Sequence, residues 1–158
     1  MNSPAIRIRA ATTADLDFIA ASNAAMALET EGKTLSPAVL RPGVENLLAH
    51  PQYGHYLLAL PPSGEGDGPI GQLMITYEWS DWRNGPFHWV QSVFVRPEWR
   101  ARKVFRALHD AAETNARAAG AVGLRLYVET ENQSAQAIYR HLGYAVTHYR
   151  LLEKEFPR

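Results

Sequence analysis

The residues best suited to chemistry form a basic run between a predicted strand and a predicted helix. Five cations lie between Arg96 and Arg106, against one acid, Glu98. The start of a helix carries partial positive charge and unbonded N–H groups, so it favours an anion. Cations in the first turn are unfavourable by roughly 0.3–1 kcal/mol each, unless an anion offsets their repulsion. The run therefore predicts either a polyanion site, such as one for a pyrophosphate, or a solvated basic loop.

Composition limits what the basic run can serve. The chain has 158 residues, of which 46% are hydrophobic and 20% charged, which predicts a single domain over residues 1–158. Lys and Arg number 16, as do Asp and Glu, so the formal charge is zero. Proteins that bind nucleic acid or anionic membranes usually carry a basic excess. We therefore expect neither partner.

Residue types exclude several other kinds of site. The chain has no cysteine, which rules out disulfides, a thiol nucleophile and Cys-ligated metals. The six histidines show no metal-ligand spacing, so no metal is predicted. No apolar run approaches the roughly 20 residues of a membrane span, and the first residues lack a signal-peptide stretch. These features predict a soluble, cytoplasmic protein.

Periodicity predicts a mixed, mostly antiparallel sheet with about four helices on its faces, an α/β (α+β) fold. The predicted strands are Ile6–Ala10, His55–Leu60, Ile70–Trp79, Phe87–Val95, Leu124–Val128 and a last extended segment, Tyr144–Glu155. The predicted helices begin at Thr12 or Thr13, Ser36, Val104 and Ser134, and Pro42-Gly43 is expected to interrupt the second. The long third helix between two strands predicts a right-handed parallel crossover.

The basic run resembles motif A of the GNAT superfamily of N-acetyltransferases. In that motif a strand ends in V-x-P, and R/Q-x-x-G-x-G/A then opens a helix; the chain supplies Val95, Pro97 and Arg100. Lys103 and Phe105 stand at the two glycine positions. Glycine at the first position lets the backbone approach phosphates closely. We expect either that the loop keeps its shape around Lys103 or that cofactor affinity is reduced.

A downstream segment resembles GNAT motif B, in which N-x-x-A-x-x-x-Y-x-x-x-G-F/Y/M follows a strand. Asn132, Ala135, Tyr139, Gly143 and Tyr144 match it. Together the two motifs cover about residues 91–144. The resemblance implies the GNAT acyl-CoA N-acyltransferase fold, with acetyl-CoA (coenzyme A) as cofactor.

The resemblance also implies which residues hold the cofactor, with backbone groups of residues 93–95 along the pantetheine arm and one N–H there polarising the thioester carbonyl. The set is Val93, Phe94, Val95, Arg100, Ala101, Arg102, Lys103, Val104, Phe105, Asn132, Ala135 and Tyr139. Asn132 is equally suited to cap the short helix. Tyr139 is equally suited to pack on Tyr144 in a Schellman turn.

The implied reaction needs an acid and a base. The resemblance places the Tyr139 hydroxyl near the cofactor sulfur as general acid. An alkyl amine with a pKa of about 10.4 must first lose a proton. The strand before the basic run lacks the glutamate that the family often has there. The remaining candidates for the base are Glu29, Glu31, Glu78, Asp81 and His88. We favour Glu29 or Glu31 assisting the amine, with water as the carrier.

The acceptor site is the least specific part of the pattern. Glu29 and Glu31 follow the first helix, where GNAT proteins often line the acceptor site, and could attract an amine; otherwise they belong to a polar loop. Trp79 and Trp82 form either a pocket wall or an apolar cap over the sheet, and Gln91 could hold a water.

Three functions are consistent with these patterns. The first is an N-acetyltransferase moving an acetyl group from acetyl-CoA to a primary amine of a small acceptor, by direct attack in a ternary complex. The second is a GNAT-like acyl-CoA-binding or sensing module with little turnover, suggested by Lys103 and the missing strand glutamate. A nucleic-acid-binding loop is disfavoured by the zero net charge. GNAT proteins are frequently dimers, so a homodimer is an open alternative to a monomer.

Overall fold

The computed structural model describes residues 5–157. These residues divide into two compact units, one up to Leu126 and the other from Tyr127 onward. The first unit holds the sheet and three helices, and the second holds one helix and the C-terminal segment. One domain over residues 1–158 stays a prediction.

The first unit is built on a five-stranded sheet in the order β1-β2-β3-β4-β5. All pairs are antiparallel except β4 and β5, which are parallel and joined by α3. The strands are β1 (Arg7–Ala10), β2 (Gly54–Leu60), β3 (Gly71–Ser80), β4 (Gly85–Val95) and β5 (Gly123–Leu126). The helices are α1 (Leu16–Glu31), α2 (Pro37–Ala49) and α3 (Val104–Ala118), with α4 (Gln133–His141) in the second unit. The predicted mixed, mostly antiparallel sheet with four helices is confirmed.

Two apolar clusters cover the two faces of the sheet. Leu57 lies in a cluster with Val104 and Leu108 of α3, whereas Leu58 lies in a cluster with Ile19 of α1 and Val44 of α2. The two clusters separate because successive side chains of a strand point to opposite faces. The α3 face and the α1–α2 face are therefore distinct, and each can hold a different part of a site.

The structure corrects two expectations about the elements. Pro42 lies inside a continuous α2 and does not interrupt it. Burial of Val44, with Leu40 and Leu47 packed beside it, offsets the hydrogen bond that proline cannot make. The predicted strand Tyr144–Glu155 is wrong, since no strand follows Leu126 anywhere up to residue 157. An apolar segment becomes a strand only where a neighbouring backbone pairs with it.

Three buried or half-buried histidines are expected to make the fold acid-sensitive. Burial is the main cause that lowers the pKa of His55, His88 and His109. The unfolded chain therefore binds more protons than the native state once the pH falls below about 6.5. We expect the free energy of unfolding, measured with urea, to be highest above that pH and to fall steadily toward pH 5.

A pair of substitutions isolates this effect. His109→Phe should flatten the decline, because His109 is 1% exposed and its ring would no longer titrate. His148→Phe, at an exposed position, should leave the decline as it is. If the free energy of unfolding fell equally steeply with pH in the two variants, the assignment of this pH dependence to the buried His109 imidazole would be contradicted.

Candidate active site

The basic run forms the loop that joins β4 to α3. A short turn over Pro97–Trp99 follows β4, and Lys103 occupies the N-cap position of α3 without a side-chain capping bond. Ala101 and Lys103 have φ angles of +59° and +63°. Glycine adopts this left-handed region freely, whereas a residue with a β-carbon is strained there. The backbone thus has a glycine-type conformation despite Lys103, which agrees with the first of the two expectations for this position.

Two arginines of the loop, and a third in the first turn of α3, are each paired with a carboxylate. The pairs are Arg100 with Glu29, Arg102 with Glu65 and Arg106 with Asp110, at 2.6, 3.0 and 2.8 Å. Arg102 also lies over the Trp99 ring, 4.0 Å from its centroid. Exposed ion pairs of this kind contribute only about 0–1 kcal/mol each. A phosphate could therefore replace these carboxylates at small cost.

The Arg100–Glu29 pair joins two residues predicted for different roles. The two terminal guanidinium nitrogens of Arg100, Nη1 and Nη2, donate to the Glu29 carboxylate at 2.6 and 2.8 Å. This hydrogen bonding lowers the pKa of Glu29, which makes its carboxylate a weaker base. The neighbouring Glu31 is paired with Lys33 at 2.7 Å. Glu29 and Glu31 thus lie in the last turn of α1 and not after it, and the Arg100–Glu29 pair ties this end of α1 to the basic loop.

A β-bulge interrupts β4 shortly before the loop. On β3, Gln72 faces Phe94 but Met74 faces Gln91, so two β4 residues oppose Leu73. Ser92 in the bulge has φ +48°.

Beyond the bulge, β4 and β5 no longer pair. Their last register pair is Val90 with Leu126. The β4 backbone over Val93–Val95 is therefore not paired with β5. This is the stretch predicted to hold the pantetheine arm.

The residues predicted for the acceptor site do not all meet. Gln91 donates to Thr76 Oγ1 and faces Met74, which packs in the α1–α2 cluster. Trp79 follows Ile75 by four positions and so shares the α3 face with it. The structure therefore places Gln91 and Trp79 on opposite faces of the sheet. Trp82 lies in the β3–β4 turn and is 85% exposed.

The other candidates for the base are partly engaged. Glu78 is ion-paired with Arg125. Asp81 accepts a hydrogen bond from the Trp82 N–H at 2.9 Å. His88 is buried, and its ring packs edge-on against Tyr77. Within residues 5–157, no group of three acidic or histidine side chains converges as metal ligands, and every helix is too short or too polar to cross a bilayer.

The second unit confirms both capping interpretations. Asn132 Oδ1 accepts the Ala135 N–H at 3.0 Å at the start of α4. At its end, the Tyr144 N–H donates to the Tyr139 carbonyl at 3.0 Å, around Gly143 with φ +93°. The Tyr139 and Tyr144 rings pack edge to face, and burial raises the pKa of the Tyr139 phenol. Their contacts with a cofactor stay predictions.

Sequence reasoning missed one feature of this region. A polar cluster lies beside the bulge, formed by the buried Asn23, Tyr56 and Gln72 with the half-buried Ser92. The available signal was Gln72, an amide within the apolar stretch of β3.

Replacing Lys103 by glycine tests the strained loop. Left-handed strain costs about 1–2 kcal/mol, and the freedom that glycine adds to the unfolded chain costs about 0.5–1 kcal/mol. We expect Lys103→Gly to raise the free energy of unfolding by up to about 1 kcal/mol in urea denaturation. Ala101→Gly is the matched control, because it relieves similar strain without removing a charge. Destabilisation by both variants would contradict this account of the loop.

Comparison with known proteins agrees with this geometry. Residues 24–144 match the model of the acetyltransferase (GNAT) family. The crystal structure of a possible acetyltransferase from Clostridium difficile 630 is similar, with 42% identity and a TM-score of 0.88 over 97% of this chain and 99% of that chain. A probable acetyltransferase has 25% identity and a TM-score of 0.81 over 95% and 99% of the two chains.

More distant structures share the fold. AAC(6')-Iy, solved in complex with a bisubstrate analog, CoA-S-monomethyl-acetylneamine, has 17% identity and a TM-score of 0.75 over 97% of this chain and 99% of that chain. No curated protein matches the chain significantly. With the family model covering most of its length and the sheet, bulge and loop arranged as described, the chain belongs to the GNAT family of acetyltransferases.

Proposed function

We propose that the protein transfers the acetyl group of acetyl-CoA to a primary amine of a small acceptor, by direct attack in a ternary complex. The observation that carries this proposal is the loop at the N terminus of α3, where Ala101 and Lys103 have glycine-type backbone angles. Unbonded N–H groups of the first helical turn and the loop arginines suit a diphosphate. The stretch of β4 beyond Val90, which pairs with β3 but no longer with β5, suits the pantetheine arm.

The chain's own residues have distinct parts in this reaction. Acetyl-CoA supplies the activated acetyl thioester. We assign the proton that the leaving sulfur receives to the Tyr139 hydroxyl. A tyrosine hydroxyl is protonated at neutral pH, and burial raises the pKa of this one further. The attacking amine gives its proton to water, assisted by Glu29 or Glu31. A diphosphate that binds Arg100 would release Glu29 from its ion pair and restore it as a proton acceptor.

A non-catalytic acyl-CoA-binding or sensing module is the second candidate. The observation in its favour is the pairing of Glu29 with Arg100, which lowers the pKa of the favoured base. A cytoplasmic location and a homodimer complete the first proposal. Cell fractionation tests the location, and the molar mass in solution tests the homodimer.

Two measurements in sequence test the function. Calorimetry with acetyl-CoA measures binding, and a thiol-release assay over a panel of amines then measures transfer, with acetyl-CoA alone as the control for hydrolysis. Binding with amine-dependent thiol release supports the acetyltransferase. Binding without release favours the sensing module, and absence of binding overturns both candidates.

A further inference from the structure

Four polar residues from four elements form a closed ring of hydrogen bonds beside the β4 bulge, with Ser92 taking part through both its backbone and its side chain. Asn23 of α1 donates through Nδ2 to the Tyr56 hydroxyl of β2 at 3.0 Å. Gln72 of β3 donates through Nε2 to Asn23 Oδ1 at 2.7 Å and to the backbone carbonyl of Ser92 at 3.1 Å. A hydrogen bond between the Tyr56 and Ser92 side chains closes the ring.

The position of the ring is unfavourable for the stability of the fold. Asn23, Tyr56 and Gln72 are 6%, 3% and 0% exposed. Within the part of the chain that the structure describes, Gln72 Oε1 is buried without a hydrogen-bond partner, which is unfavourable. Ser92 has a left-handed backbone, which is strained for a residue with a side chain. Two unfavourable features at one point indicate a role beyond stability.

The ring sets the direction of one peptide group. The Ser92 carbonyl and the Val93 N–H belong to the same planar trans peptide, so they point in opposite directions. Because Gln72 holds the carbonyl, the Val93 N–H is directed away from the ring. Anchors on α1, β2 and β3 keep this peptide from rotating. The stretch that begins at Val93 is the part of β4 beyond its last pair with β5.

We propose that Gln72, held by Asn23 and Tyr56, is a positioning residue that aims the Val93 N–H at the thioester carbonyl oxygen of acetyl-CoA. This inference rests on the proposed function. An N–H aimed in advance at that oxygen stabilises the negative charge that develops on it during attack. Gln72 acts only through the peptide that it holds.

Gln72→Met tests the proposal, because methionine has a similar size and lacks the Nε2 donor. We expect kcat for acetyl transfer to fall about 10–100-fold, somewhat less than when such an N–H is removed entirely. The dissociation constant of coenzyme A, which lacks the thioester carbonyl, should change less than about threefold, in contrast to the loss in kcat. Hydrogen exchange of the Val93 amide in the protein alone should become faster.

Val44→Ala is the matched control. Val44 packs in the same cluster as Tyr56 but is not part of the ring, so the variant should lose stability and keep kcat within about twofold. Equal losses of kcat in both variants would reduce Gln72 to a structural role and overturn the proposal. An unchanged kcat in Gln72→Met would overturn it too. Should Gln72→Met not fold, Tyr56→Phe removes the two bonds of the Tyr56 hydroxyl but leaves Gln72 bonded to the Ser92 carbonyl, so it should show the same changes at smaller size.

Failure of the proposed function would be recognised separately. If the wild-type protein transfers acetyl to no amine, kcat cannot be measured. Amide hydrogen exchange can still be measured in the protein alone. Faster exchange confined to residues 92–94 in Gln72→Met would then still support the hold on the peptide. Unchanged amide exchange at residues 92–94 would overturn the proposed hold of Gln72 on the peptide as well.

Discussion

Replacing Tyr139 by phenylalanine is expected to lower kcat for acetyl transfer by about 100-fold, the lower end of the range for general acid–base catalysis. The variant removes only the hydroxyl, and the ring can still pack on Tyr144. In the proposed mechanism the hydroxyl acts on the leaving sulfur and not on the diphosphate, so the affinity for acetyl-CoA should change little. Steady-state kinetics with a reactive amine, together with calorimetry, measures both quantities.

Tyr144→Phe is the control for this experiment. It removes a hydroxyl from the same Schellman turn and keeps the same ring contact. We expect its kcat to match that of the wild type. A Tyr139→Phe enzyme with unchanged kcat and normal acetyl-CoA affinity would refute the general-acid assignment.

Leu108→Ala is expected to destabilise the fold by about 3 kcal/mol, within the range for a buried leucine. Leu108 is 0% exposed and packs against the sheet from α3. For a chain of this size, such a loss lowers the melting temperature by roughly 6–12 °C. The Leu108 side chain also lies close to Gly71 of β3. Packing around Gly71 is tight, because a β-carbon added there would lie 3.1 Å from Val104, the first residue of α3. Removing the Leu108 side chain should therefore loosen the packing of α3, the helix that follows the basic loop, against the sheet.

Leu28→Ala supplies the comparison on another helix, because Leu28 is 60% exposed. We expect it to change the free energy of unfolding by less than about 0.5 kcal/mol. Chemical denaturation of both variants under the same conditions separates burial from helix propensity. Similar losses in both variants would contradict the assignment of Leu108 to the core.

Local sequence signals predicted the parts of the molecule that depend on neighbouring residues. Gly143 between Leu142 and Tyr144 indicated the Schellman turn, and Asn132 indicated the helix cap; both are present. The strand and helix order followed from periodicity because core-facing side chains recur with a period of 2 in a strand and about 3.6 in a helix. Even the unusual Lys103 could be placed at the start of α3.

Features that depend on distant partners could not be predicted in this way. The bulge at Ser92 arises from register against β3, and the pairing of Arg100 with Glu29 joins positions 71 residues apart. Pro42 stays helical because tertiary packing outweighs a local preference. For the same reason, apolar character in the C-terminal segment did not produce a strand.

The carboxylates beside the loop arginines have a consequence for how a cofactor would be received. Glu29 and Glu65 each occupy a guanidinium, so the arginine side chains already have defined orientations. An incoming diphosphate then replaces one anionic partner with another and loses little further rotational freedom. With the arginines oriented in advance, the loop would select an anion by its shape more than by its total charge.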